Sequence, residues 1–119
     1  VEVSLYALVN NVLDPLREGW GKPIIVTSGY RCPALNKAVG GAANSQHTKG
    51  QAADIEAHTR SREDNKKLFE LIRKMNLPFD QLINEYDYDW IHVSFGPLHR
   101  KSVLAATMQN GKTVYVKMP

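Results

Sequence analysis

The chain has 119 residues, 43% hydrophobic and 23% charged, which suits one globular domain over residues 1–119 with a single modest core. No apolar run approaches the roughly 20 residues needed to span a membrane, and the lone Cys32 excludes both an internal disulfide and a thiolate zinc cage. The net charge of +3 and isoelectric point near 9.1 favour an anionic partner. The basic residues are dispersed, however, without a Lys/Arg block or interleaved aromatics, so cell wall fits and nucleic acid does not.

Residues 3–20 place Leu5, Leu8, Val9, Val12, Leu16 and Trp20 at helical spacing. Pro15 interrupts the stripe and predicts a kink, or a helix ending near Asp14 with a short turn after it. Ile24-Ile25-Val26-Thr27 reads as a β-branched strand closed by Ser28-Gly29, which puts Tyr30 and Arg31 in a loop. Pro33 suits the first turn of a short helix through Ala38, stopped by Gly40-Gly41. Cys32, just before it, is expected to be a structural or incidental thiol.

A second strand is expected from Gln51 to Ala57. Ser61, with Asp64 three residues on, signals a helix start, and Leu68, Leu71, Ile72 and Met75 would form that helix's buried face up to Leu77-Pro78. Strands follow near Gln81–Glu85 and Trp90–Phe95. Asn110-Gly111 between Val103–Met108 and Thr113–Lys117 is a strong hairpin signal. Helices first and strands after predict an α+β fold: a mostly antiparallel sheet with N-terminal and central helices packed on it.

The residues with the most chemical content are His47, Asp54 and His92. Two imidazoles and a carboxylate supply three protein ligands for a tetrahedral zinc ion, leaving a fourth position for water, whose pKa zinc lowers toward neutrality. On a helix, His47 and Asp54 would lie about 10 Å apart along the axis, too far to share an ion. A turn at Gly50 solves this by folding loop residue His47 back onto a strand carrying Asp54. Alternation then turns Ile55 to the core behind Asp54, and Ile91, Val93 and Phe95 to the core behind Trp90, His92 and Ser94.

The ordered set Ser28-Gly29-Tyr30-Arg31, Leu35-Asn36, Val39-Gly40-Gly41, Ser45-x-His47-x-x-Gly50-x-Ala52-x-Asp54 and Trp90-x-His92 resembles the zinc D-Ala-D-Ala carboxypeptidases. Their relatives include vancomycin-resistance D,D-dipeptidases and phage L-Ala-D-Glu endolysin peptidases. The resemblance covers roughly residues 5–95. It implies one zinc ion on His47, Asp54 and His92, and a proton-shuttling carboxylate at Asp89, three residues before the last ligand. It also implies that Arg31 stabilises charge on the substrate carbonyl and that Ser45 grips substrate. Ser45 has an alternative role in bonding the turn backbone.

Strand parity puts Asp89 on the face opposite His92 unless the chain bends before Trp90, so Glu85 and Asp87 stand as fallback bases. His58 and His99 read as surface histidines. Glu56 reads as a group orienting a ligand or as a solvated carboxylate, and Tyr86, Tyr88 and Trp90 as core or groove aromatics.

The resulting expectation is a monomeric zinc metallopeptidase hydrolysing a D-amino-acid-containing bond in peptidoglycan stem peptides. Its cleavage would be of the D,D-carboxypeptidase or L-Ala-D-Glu endopeptidase type. The alternative is a non-catalytic, zinc-containing cell-wall or partner-binding module on the same fold. Either would meet the bacterial wall from the periplasm, after secretion or after phage release. Localisation itself stays open, because the chain begins at Val1 and a leader is unread.

Overall fold

The computed structural model describes residues 2–29, 31–38 and 45–119, with Pro33 and Asn36 described for their backbone alone. Tyr30 and the Val39-Gly40-Gly41 helix stop therefore lie outside the described residues.

Proline has no amide hydrogen, and its ring crowds the carbonyl four residues back. The N-terminal helix absorbs Pro15 by widening rather than stopping. Helix α1 (Glu2–Leu8) runs into a π-helical turn (Val9–Leu13), where the Asp14 N–H bonds the Val9 carbonyl. Helix α2 (Asp14–Trp20) then carries Pro15 in its first turn, directly after the widened turn that makes room for its ring, and Gly21 ends it at φ 73°. The inserted turn keeps Leu8, Val12 and Leu16 on one buried face.

Strand β1 (Ile24–Ser28) precedes the short helix α3 (Pro33–Ala38), and β2 (Ala52–Ala57) follows the polar loop. Helix α4 (Arg62–Lys74) starts where the Ser61 Oγ accepts the Asp64 N–H at 3.1 Å. Its buried face is Leu68, Phe69 and Ile72, with Leu71 and Met75 half-buried at its margin. Phe69, unanticipated in the sequence stripe, meets the Tyr88 ring edge-on at 5.4 Å. Truncating it to Ala would cost about 3–5 kcal/mol.

Strands β3 (Gln81–Glu85), β4 (Trp90–Ser94), β5 (Ser102–Gln109) and β6 (Lys112–Lys117) complete a six-stranded sheet of order β1-β2-β4-β3-β5-β6. Asn110 and Gly111, at φ 51° and 77°, make the two-residue turn between the last pair.

The expectation of a mostly antiparallel sheet is corrected: the sheet is mixed, because β5 runs parallel to β3. The reason is edge occupancy. Strand β4 is already paired with β2 on one side and β3 on the other. The returning β5 runs against β4 but must land on the free edge of β3, and there it is parallel. Behind the sheet, Ala53, Ile55, Ala57, Leu82, Ile91 and Val93 pack into the core with α2 and α4. The front face is left for Asp54, Glu85 and His92.

Candidate metal centre and cleft

Asp54 and His92 are cross-strand partners on β2 and β4, the closest side-chain neighbours a sheet provides. His47 reaches them from the preceding loop. There Gly50, at φ 70°, turns the chain, with Gly50 N–H on the His47 carbonyl and Gln51 N–H on the Gln46 carbonyl. The Asp54 Oδ1 sits 3.3 Å from His47 Nε2 and 3.2 Å from His92 Nδ1. One ligand atom from each residue lies within 4.8 Å of the others.

Tetrahedral bonds of 2.0–2.1 Å require ligand atoms about 3.3 Å apart, so both separations from Asp54 fit zinc. His47 Nδ1 lies 2.8 Å from the Gly29 carbonyl, which can only accept. Nδ1 therefore carries the proton, and the Nε2 lone pair faces the centre. Gly29 itself follows β1, whose pairing with β2 is irregular between Val26 and Ser28. Burial opposes the Asp54 charge; with a proton between each imidazole and the carboxylate, hydrogen bonds from His47 and His92 outweigh it and hold the metal-free carboxyl at about 2.

A cleft of about 500 Å³ opens beside this centre. Its polar walls are Ser45, Gln46, Gln81, Glu85, His92 and Arg100, over an apolar floor of Ile83, Leu104 and Tyr115. Glu85 ends β3, paired with Trp90 and thus on the His92 face. Only 8% exposed, it is pushed up to about 7 by burial and by the Asp54 charge, against a smaller opposing effect of His47.

The family described as Peptidase M15 matches residues 4–94, more than half of the chain. The chain belongs to the peptidase M15 family. It is 48% identical over 46 residues to the zinc D-Ala-D-Ala carboxypeptidase of Streptomyces albus G, a match covering 38% of this chain and 18% of that protein. The chain therefore matches under one-fifth of that relative's length. In this M15 chain, zinc is the ion that the family and the two-histidine, one-carboxylate donor set imply together.

The other anticipated residues divide. Arg31 and Ser45 come together, Arg31 Nη2 at 3.5 Å from Ser45 Oγ and the Arg31 N–H on the His47 carbonyl. Ser45 Oγ also accepts the His47 N–H at 3.2 Å, which makes it a brace of the ligand loop. Asp89 is not one of the three residues that cluster as candidate ligands. Tyr86, Asp87 and Tyr88 all adopt positive φ in the β3–β4 turn, and the Asp89 carboxylate ends half-exposed, 3.6 Å from Arg62. It lines a depression with Thr27, Glu56, Arg60 and Trp90, the last on the His92 face of β4.

Asn65 Nδ2 and Arg62 Nε hold that turn through the carbonyls of Tyr88 and Asp87. Asp87 is exposed on it. Glu56 is buried and paired with Arg60 at 2.9 Å, so it is neither solvated nor bonded to a ligand histidine among the described residues. His99 is exposed against Phe95, whereas His58 is half-buried beside Trp20. Cys32 is exposed, and its Sγ accepts the Leu35 N–H. Sequence reasoning missed the buried Asp80, which holds Arg100 and Gln46 on the cleft wall. No local motif announces it. Glu85, by contrast, was accessible to parity, since Gln81, Ile83 and Glu85 share a strand face.

Proposed function

We propose that this chain is a zinc metallopeptidase that hydrolyses a D-amino-acid-containing peptide bond in peptidoglycan stem peptides. The observation that carries the reading is a three-donor cluster, with both separations from Asp54 suited to zinc, beside a cleft that a buried, protonatable carboxyl also lines. Family membership supports the reaction class, and the identity to a zinc D-Ala-D-Ala carboxypeptidase supports the substrate class.

His47, Asp54 and His92 would hold the ion, which when bound supplies an acidified water and polarises the scissile carbonyl. The chain's own groups do the rest. The Gly29 carbonyl fixes the His47 ring, so the lone pair it offers is fixed too. Glu85 is the proton carrier in this reading, in place of the Asp89 anticipated from the motif. It takes a proton from the attacking water and returns it to the leaving amine. In the metal-free chain that carboxyl lies at about 7; a bound cation would offset the Asp54 charge and lower it, favouring the ionised form that accepts the proton. Arg31, held at the ligand loop, is the group assigned to charge developing on the carbonyl oxygen. The open cleft accommodates an extended peptide on a polymer, by D,D-carboxypeptidase or L-Ala-D-Glu endopeptidase cleavage.

The test is mass spectrometry of peptidoglycan fragments after incubation with zinc-loaded protein, beside a chelator-treated control. Loss of terminal D-Ala would identify a carboxypeptidase, and cleavage beside D-Glu an endopeptidase. Binding to the wall with no metal-dependent product would overturn the reading in favour of a binding module.

A further inference from the structure

Arg100 lines the same cleft as His92 and Glu85, and the chemistry above leaves it without a task. A surface arginine ordinarily samples many rotamers; this one is fixed. Asp80, 1% exposed just before β3, accepts four hydrogen bonds, all of 2.9 Å. Its Oδ1 takes the Arg100 backbone N–H and Nε, and its Oδ2 takes Arg100 Nη2 and Gln46 Nε2. The Asp80 backbone is anchored as well, its N–H to Ser94 and its carbonyl to Ser102.

The Nε–Nη2 edge of the guanidinium is thus taken by a buried carboxylate. The other edge, Nη1–Nη2, has no partner among the described residues, and the side chain is 46% exposed. A guanidinium has five N–H groups in a planar fork, so this second edge can take another carboxylate in bidentate fashion. Asp80 balances the guanidinium charge from one side only, so the half-exposed second edge still presents its N–H donors, and the positive end of the pair, to the cleft. Among the described residues lining the cleft, Arg100 is the one fixed cation. A planar monoanion suits it, whereas a dianion would meet Glu85 and Asp54 nearby.

We propose that Arg100 is a specificity-determining residue that grips a carboxylate of the peptide substrate, and that Asp80 is its positioning residue. Gln46 is bonded to Asp80 and precedes His47, so the anchor and the ligand loop share one buried post. The span between the gripped carboxylate and the bond facing the metal centre is thereby fixed, which selects the bond that is cut. The peptide's identity rests on the peptidase reading; the carboxylate preference does not.

The experiment uses zinc-loaded protein and a synthetic stem pentapeptide, with a matched set in which each carboxylate in turn is a carboxamide. Calorimetry gives binding, and product formation gives kcat and KM. One carboxamide should weaken binding by about 10- to 100-fold, as losing hydrogen bonds to a charged group does. Arg100→Gln should lose that same factor on the carboxylate peptide, chiefly in KM, and should bind the matching carboxamide as the parent does. Arg100→Lys, which keeps charge without the fork, should fall between them. Asp80→Asn should reduce the preference while Arg100 is still present.

Zinc content and circular dichroism separate these effects from misfolding. An equal loss on carboxylate and carboxamide peptides in Arg100→Gln and Arg100→Lys would overturn the proposal. So would cleavage by the parent protein indifferent to every carboxamide, which would leave the peptidase reading standing. Carboxylate-dependent binding without cleavage would do the reverse. No binding and no cleavage would remove both.

Discussion

Asp54 and Asp80 are carboxylates a few strands apart, both held at about 2, by opposite means. Asp80 is held down mainly by its hydrogen bond from Arg100, against burial, with the Arg100 backbone and Gln46 assisting. Its partners are complete in the chain alone. Asp54 is opposed by burial, the largest single effect, and lowered by two imidazoles that together outweigh it. The Gly29 carbonyl takes the His47 Nδ1 proton, so a neutral His47 turns a lone pair toward the Asp54 oxygen. That contact is favourable only with a proton or a metal ion between the two groups. One carboxylate is therefore a structural post and the other a member of a candidate ligand set, and the difference lies in the partners rather than in the pKa.

The comparison breaks most severely at the ligand set. His92→Ala should abolish zinc binding and reduce hydrolysis to background while the fold persists. Metal analysis of the purified variant checks this, and one zinc per chain would remove His92 from the centre.

Next in size is the proton carrier. Glu85→Gln should keep zinc and lower kcat by about 10²- to 10⁴-fold, whereas Asp89→Asn should change it by no more than a few-fold. The reverse ranking in steady-state kinetics would return the role to Asp89. Glu85 also carries a stability signature of opposite sign to the two aspartates. Its folded pKa is raised from 4.5 to about 7, so stability in the metal-free protein falls as pH rises between those values. Metal-free Glu85→Gln should therefore be more stable than the parent at pH 7.5, by about 1–3 kcal/mol in urea denaturation. Equal stability there would show that Glu85 is not desolvated.

At the structural post, Asp80→Asn should retain zinc but lose about 1–3 kcal/mol, because buried Asp80 gives up charge-assisted hydrogen bonds to a guanidinium that stays partly solvated. The Asp80 pKa is depressed from 3.8 to about 2. Its contribution is therefore complete above about pH 4 and disappears as pH falls toward 2. Parent and variant melting curves should converge over that window, and parallel curves would assign the acid sensitivity elsewhere. The mildest change, Gln46→Ala, cuts the one side-chain bond from the post to the ligand loop among the described residues. It should cost about 1 kcal/mol and weaken zinc binding by no more than about tenfold. A larger zinc defect would mean that the post positions His47 as well as Arg100.

Much of this was legible in the chain. The helix start at Ser61, the hairpin at Asn110-Gly111, the turn at Gly50 and the Asp54/Ile55 alternation each rest on one residue's local chemistry, and each stands as expected. Three things were not legible. Pro15 signalled a disruption, but a widened turn or a break is decided by whether Leu16 still reaches the core. The parallel β3–β5 pairing depends on which sheet edge is free, a property of no single strand. Asp89 follows the motif spacing, yet three successive left-handed residues and the Arg62 partner set its direction.

By itself, the sequence determined the donor types, their order and the local turns that could bring His47 to Asp54, because these depend on side-chain chemistry and short-range backbone preference. Tertiary structure alone decided that Glu85 rather than Asp89 shares the cleft, and that Asp80, Arg100 and Gln46 meet. Those outcomes depend on strand order and burial, which bring together residues dozens of positions apart and set the charge each can keep.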